Sequence, residues 1–474
     1  MKNNQTLKSK VLQGGIYLTI RQLIGVAVSL VSVLVVARVL GPELYGVVAV
    51  ASGMLFFTFW TGKLGLEMYL IRQPDLPEDG AEQILAFFNT VGVGLCVLLW
   101  LAVPLYSLLT GQTVVAQVLR WLVPVVWLEM VSSVSIAMME RELHFNQVGL
   151  IETLAQIANS ILSVTLVLMN WGYWGPIAGL VLQYAFLALK ACYCYRISWR
   201  WRWRWKFIRS ALRYSLAYSG SNLIGSLKGL TLPLFVSPLA GLEAVGIISI
   251  GIRFSDQLGI LRMVVARMSV SALAKLIGNA DLTRRAISRG IVYQGLLVGP
   301  IFAVFSCCAA WVIPLAFGTK WLPSLYIFPF IAFATLINTV FNLHFSALYA
   351  VGHNREVAKF NLWHVGLFWL ACWIFLPIWG AWGFAVAEIF TLLSYLSIHH
   401  SLAKLYGTPD YRDGFCLIAA TTPALFAGPW LPTAVSLSIL VISYGLLFLL
   451  RPNLKSIPAE LYSAWRARRV STSP

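Results

Sequence analysis

Stretches of about 20 apolar residues, the length that crosses a bilayer core, recur so often in this chain that few other folds are open to it. Broken at Gly, Pro or charge, the runs give spans at 14–37, 44–66, 83–108, 114–139, 147–169, 174–195, 212–236, 244–266, 290–314, 322–348, 357–378, 381–402, 413–431 and 433–450. The expectation is an all-α multi-pass membrane protein of about 14 transmembrane helices, with twelve plus a loosely attached pair as the fallback. Composition agrees. Of 474 residues 59% are hydrophobic and 11% charged, against roughly a quarter charged in a soluble domain. The apolar run after Lys2, Lys8 and Lys10 exceeds the roughly 7–15 residues of a signal-peptide core, so it is expected to stay as the first helix.

The net charge of +17 takes its meaning from position. Lys and Arg gather on alternate connections: Arg141, Arg196 to Arg213, Arg267 to Arg289, Arg355 with Lys359, Lys404 with Arg412, and the tail from Arg451 to Arg469. The other side holds little more than Arg38, Arg120 and Lys320. Because basic loops stay cytoplasmic, both termini are expected in the cytoplasm. The connection 67–82 breaks the pattern by being acidic, which the rule tolerates because Asp and Glu contribute little to it. The seven cysteines show no metal-ligand spacing and read as small buried hydrophobes rather than as disulfides or a zinc site.

Shifted by 200 positions, the segment from Arg21 to Gly46 matches that from Ser221 to Gly246, with Gly25, Gly41, Glu43 and Gly46 falling on Gly225, Gly241, Glu243 and Gly246. Weaker echoes follow at slightly larger shifts: AMMERELHFN from Ala137 with ALYAVGHNRE from Ala347, and WGPIAG from Trp174 with WGFAVA from Trp382. The repeat unit is therefore about six helices. An even number gives two parallel copies related by an axis along the membrane normal, an arrangement found in transporters. The boundaries expected are 1–196 for the first six-helix lobe, 197–211 for a basic, aromatic linker, 212–402 for the second lobe, and 403–474 for two extra helices and a basic tail.

The segments ARVLGPELYGVVAVASG, MMERELHF, LAFGTKW and SALYAVGHNREVAK resemble the polysaccharide-biosynthesis flippases of the multidrug/oligosaccharidyl-lipid/polysaccharide exporter superfamily, over roughly residues 8–400. The resemblance implies two six-helix lobes in a V-shaped bundle, often with two further C-terminal helices. It also implies transport of undecaprenyl-pyrophosphate-linked oligosaccharide from the inner to the outer leaflet of a bacterial plasma membrane, for exopolysaccharide, O-antigen or capsule. The partners implied are the polysaccharide polymerase and chain-length or export proteins.

A cation at mid-bilayer costs about 2.5–3.5 kcal/mol on insertion scales and is a functional candidate by default. Arg21 lies in the first span beside Gln22, and its counterparts are Ser221 and Asn222. Ser221, Gly225 and Lys228 are spaced i, i+4, i+7, which puts them on one helical face. Arg253 precedes Asp256 and Gln257 in the eighth span, so it is open to an intrahelical ion pair or to the cavity. Arg21, Gln22, Asn222, Lys228, Arg253 and Gln257 are the residues expected to meet a pyrophosphate through charge-assisted donors. Glu129, Glu152, Asp256 and Glu388 are embedded carboxylates, expected either to exchange a coupling proton or sodium ion or to pair with Lys or Arg across the bundle. No metal or cofactor is expected, and the six histidines offer no ligand-like pattern.

Other functions remain open at this point. A peptidoglycan-precursor flippase would share the pyrophosphate carrier, whereas a drug exporter would favour an acidic cavity. A membrane glycosyltransferase or polymerase needs a nucleophile or paired carboxylates where water meets sugar, and the short exterior connections and missing Asp-x-Asp pair argue against it. The run WRWRWRWK, Trp199 to Lys206, falls between the sixth and seventh spans. Trp favours the membrane interface and Arg favours anionic headgroups, so the run is expected to lie on the inner leaflet and to bind anionic lipid rather than nucleic acid.

Overall fold

The computed structural model describes the backbone of residues 2–260, 262, 273, 276 and 278–455, with side chains except at 2–24, 26, 27, 217, 218 and 455. Among these residues eleven helices are long and apolar enough to cross a membrane. The expected fourteen spans are recovered because two of the eleven are each bent in two at a glycine, and the 16-residue helix Arg412–Ala427 adds one more. No strand is present among the described residues.

The chain divides into two compact units, 1–246 and 247–474. The first contains α1 (Lys2–Lys63), α2 (Leu66–Arg72), α3 (Gly80–Thr110), α4 (Thr113–Arg141), α5 (Phe145–Leu168), α6 (Trp174–Cys194), α7 (Trp205–Ser226) and the start of α8 (Ser237–Leu258). The second contains the rest of α8, then α9 (Ala280–Ala316), α10 (Pro323–Ala350), α11 (Asn354–Trp379), α12 (Ala381–Thr391), α13 (Tyr395–Tyr406), α14 (Arg412–Ala427) and α15 (Thr433–Leu450).

The bends come from the repeated motif. Gly41 has φ 73° and ψ 175°, and Gly241 has φ 85° and ψ 170°, a left-handed region that glycine enters without a Cβ penalty. Five residues on, Gly46 and Gly246 pack reciprocally. A Cβ on Gly46 would overlap the Leu242 carbonyl, and one on Gly246 would overlap the Pro42 carbonyl.

Both weaker echoes are also the same local structure twice. Helix α4 ends in a Schellman turn, with His144 N–H donating to Met139 O at 2.8 Å and Leu143 at φ 62°. Helix α10 ends likewise, with His353 N–H donating to Leu348 O at 2.9 Å and Gly352 at φ 79°. Gly175 packs on Val167, a Cβ there meeting its Cγ2 at 2.7 Å, and Gly383 packs on the Phe375 backbone in the corresponding place. Duplication thus survives as backbone geometry after most identities have gone.

In the second unit Phe302, Phe328, Leu343, Leu402, Ile418 and Leu425 belong to one buried core drawn from α9, α10, α13 and α14. Ser306 Oγ donates to Leu425 O at 2.6 Å. Helix α14 is therefore part of the core, and the fallback of a loosely attached pair is wrong for it. The cysteine expectation holds only in part: all seven are free thiols, Cys307 and Cys372 are buried, and Cys194 is exposed.

Candidate functional site

The embedded charges fall into local arrangements within each unit. In the first, Lys63 at the end of α1 reaches Glu129 on α4 at 2.5 Å and Glu67 on α2 at 2.9 Å. Both ends of the Lys63–Glu129 pair are mostly sheltered, at 18% and 14% side-chain exposure. Glu129 is thus a paired carboxylate, the structural one of its two expected roles. Its partner was missed in the sequence because Lys63 stands at a span end, where a lysine looks topological.

Glu152 is exposed on α5, and Glu140, Glu129 and Lys63 are near enough to act on it electrostatically. It heads a polar stripe, Glu152, Gln156, Asn159 and Ser163, whose i, i+4, i+7, i+11 spacing keeps one helical face. Asn159 Nδ2 donates to Gln183 Oε1 of α6 at 2.7 Å, and Ser163 Oγ donates to Asn159 Oδ1 at 2.8 Å. Only Gly179 lets α6 come this close, since a Cβ there would overlap the Asn159 and Ser163 side chains.

Lys228 is half-buried in a 3₁₀ turn, Leu227–Leu230, followed by a π turn, Leu232–Val236. Such breaks within a membrane helix are tolerated where protein or a cavity satisfies the backbone. Asn222 is exposed on the preceding turns of α7. The side chains of Arg21 and Gln22 lie outside the described residues.

In the second unit Arg253 and Gln257 are half-buried on α8 and Asp256 is exposed. Glu388, 7% exposed, sits on α12 just before the 3₁₀ turn Leu392–Ser394. A polar network that the sequence did not reveal lies nearby. Arg262 Nη1 donates to Asn338 Oδ1 at 2.7 Å, and Asn338 Nδ2 donates to the Tyr395 hydroxyl at 2.6 Å. The histidines are not as featureless as their spacing suggested. His344 Nε2 on α10 and His399 Nδ1 on α13 both hydrogen-bond the Tyr411 hydroxyl, at 2.7 Å and 2.8 Å. Among the described residues no three His, Cys, Asp or Glu side chains are placed to hold a metal.

Two further features stand out, one apolar and one aromatic. An open apolar groove of about 700 Å³ runs between α10 and α14, lined by Phe333, Ile337, Phe415, Ile418, Thr422 and Phe426 among others. The WRWRWRWK run is non-helical up to Arg204, after which α7 begins, and exposes Trp199, Trp201, Trp203 and Trp205. Its arginines correct one expectation. Arg204 pairs with Asp79, and Arg202 lies 3.5 Å from Glu82 and 3.7 Å from Asp79, so these two meet protein carboxylates rather than being held for lipid alone. Asp79 and Glu82 of the acidic connection 67–82 thereby have their counter-charges. Arg141 of the MMERELHF segment secures its other end, donating to the carbonyls of Leu70, Gln73 and Pro74 at 2.7, 2.6 and 3.1 Å.

A duplicated multi-pass bundle with embedded charges, one of them the Lys63–Glu129 pair, and broken spans in both units is the architecture of a membrane carrier. Its fold is that of a lipid II flippase MurJ in an inward closed conformation, with a TM-score of 0.71 and 12% identity over 93% of this chain and 99% of that one. The chain belongs to the polysaccharide biosynthesis protein family, whose profile matches residues 35–326. Over 471 residues it is 24% identical to the lipopolysaccharide biosynthesis protein WzxC of Escherichia coli (strain K12), covering 95% of this chain and 90% of that protein. It is 23% identical over 299 residues to the succinoglycan biosynthesis transport protein ExoT of Rhizobium meliloti (strain 1021), covering 61% and 59%.

Proposed function

We propose that this protein flips undecaprenyl-pyrophosphate-linked oligosaccharide from the cytoplasmic to the outer leaflet of a bacterial inner membrane, with both termini in the cytoplasm. The observation that carries the reading is family membership over most of the chain combined with cations embedded in irregular or charged spans, Lys228 and Arg253. A pyrophosphate cannot enter hydrocarbon unpaired, and charge-assisted donors of this kind offset its desolvation. Arg21, Gln22, Asn222 and Gln257 complete the proposed polar lining. The α10–α14 groove is apolar along its length, which suits the polyprenyl tail. Alternating access between the two repeats moves the headgroup while the tail stays in lipid.

Glu152, Asp256 and Glu388 are the proposed coupling carboxylates. Glu129 is less suited to that role, because Lys63 holds it. Partners proposed on the same reading are anionic lipids at the exposed tryptophans and the polymerase that consumes the flipped unit.

Deleting the gene in its host tests the assignment. The expected result is loss of one surface polysaccharide and accumulation of its undecaprenyl-pyrophosphoryl repeat unit inside the cell. No accumulation, or arrest of peptidoglycan synthesis instead, overturns it.

A further inference from the structure

Helix α5 has two faces of opposite character. Leu150, Leu154, Ile161 and Leu168 are exposed along one of them, in a row that keeps helical spacing and suits hydrocarbon. At about 100° per residue, Gln156, Asn159 and Ser163 fall about half a turn round from that row. Gln156 and Asn159 are only half-buried there, and both stand near the middle of the 24-residue helix. A polar face at that depth, turned away from lipid, meets protein or a water-filled cavity, and its partial exposure favours the cavity.

The amides are held in a fixed array. Ser163 Oγ donates to Asn159 Oδ1 at 2.8 Å, Asn159 Nδ2 donates to Gln183 Oε1 of α6 at 2.7 Å, and Gln183 Nε2 reaches Gln156 Oε1 at 3.4 Å. Ser163, at 3% exposure, anchors the array in the core, and each link orients the next. Hydrogen bonds across the helices would by themselves join α5 to α6. The array goes further than that joint needs, ending on half-buried Gln156, whose one described link is the 3.4 Å contact. Each carboxamide nitrogen has two hydrogens, and these bonds use one from Asn159 and one from Gln183, which leaves donors on all three amides.

We propose that Gln156, Asn159 and Gln183 bind sugar hydroxyls of the transported oligosaccharide and so help to select the glycan that is carried.

The proposed cargo has three chemically distinct parts, and only one matches this face. Its pyrophosphate needs cations, and the stripe holds none; it starts at Glu152, whose carboxylate repels phosphate. Its polyprenyl tail needs apolar surface. A sugar hydroxyl donates and accepts at once, as a carboxamide does, and a site built to hydrogen-bond hydroxyls rejects analogues that lack them. A bound cation would instead need the amide oxygens to converge on it, whereas Asn159 Oδ1 and Gln183 Oε1 already accept from Ser163 and Asn159.

The inference rests on the transport reading, and the test separates the two. The purified full chain is placed in liposomes with either the undecaprenyl-pyrophosphoryl repeat unit that the deletion strain accumulates or the same carrier bearing a single sugar. Flipping rates are compared at limiting substrate. Wild type is expected to prefer the full unit, and Gln156→Ala and Gln183→Ala are each expected to lower that preference about fivefold, the factor carried by one net hydrogen bond. Gln156→Ala breaks only the 3.4 Å contact, so it decides the matter even where Gln183→Ala fails to fold. If Gln156→Ala slows both substrates equally or leaves both unchanged, the array is a joint between helices and the proposal is overturned. A wild type that flips both substrates at one rate overturns it too. A wild type that flips neither overturns the transport reading, and this inference with it.

Discussion

Gly46 and Gly246 occupy the same place in each other's surroundings. Each is the last glycine of its copy of the motif, and each would drive an added Cβ into a carbonyl of the opposite copy, Leu242 for Gly46 and Pro42 for Gly246. A contact in which position i meets j and j meets i follows from two-fold related copies. The glycines are needed where the copies touch.

Gly46→Ala and Gly246→Ala are therefore each expected to destabilise the protein by roughly 1–3 kcal/mol, as overpacking does, and to reduce export. Gly25→Ala is the control, because the nearest atom to a Cβ there is the Thr153 methyl at 4.0 Å. Thermal stability of the detergent-purified variants separates the cases. Equal tolerance at all three positions would show that the close approach is not constraining.

Lys63→Met leaves Glu129 without the partner now at 2.5 Å. Breaking a sheltered pair from one side costs roughly 3 kcal/mol or more, so the single variant is expected to fall in membrane abundance. Lys63→Met with Glu129→Gln removes both charges and is expected to recover most of the loss. A double variant no better than the single one would mean that Lys63 acts through something other than charge.

The ion pairs from Arg202 and Arg204 to Asp79 and Glu82 are partly solvent-exposed, at 46% and 60% for the two arginines. Pairs of that kind contribute about 0–1 kcal/mol. Replacing both arginines with Gln is expected to leave stability almost unchanged but to open residues 196–204 to chymotrypsin in permeabilised cells. A changed glycan preference with an unchanged cleavage pattern would contradict an interfacial role.

Lys228→Gln and Arg253→Gln are each expected to abolish export of the lipid-linked sugar at normal protein levels. Export at wild-type rate in both would remove these cations from the proposed site.

The spans were legible because a bilayer imposes one length and one composition on every helix that crosses it. The duplication was legible because Gly41 and Gly46 answer to backbone geometry that no other residue satisfies, so they outlast the apolar positions around them. What could not be read was pairing across sequence distance. Nothing local distinguishes Lys63 from a topological lysine, or tells that Glu129, 66 residues away, will meet it. The acidic connection 67–82 looked like an exception only until its partner strip was placed beside it. His344 and His399 gave no spacing signal because the group that joins them is a tyrosine from a third segment. The firm attachment of span 13 is not legible in its hydropathy, because it lies in what Ile418 and Leu425 pack against.

The central claim is that this chain moves a pyrophosphoryl-linked oligosaccharide across a bilayer. The most direct measurement loads that lipid into the inner leaflet of liposomes containing the purified protein and follows its capture by an external glycosidase. The account predicts capture that depends on the protein and falls to the protein-free rate in the Lys228→Gln, Arg253→Gln double variant. Capture no faster than in protein-free liposomes would contradict it.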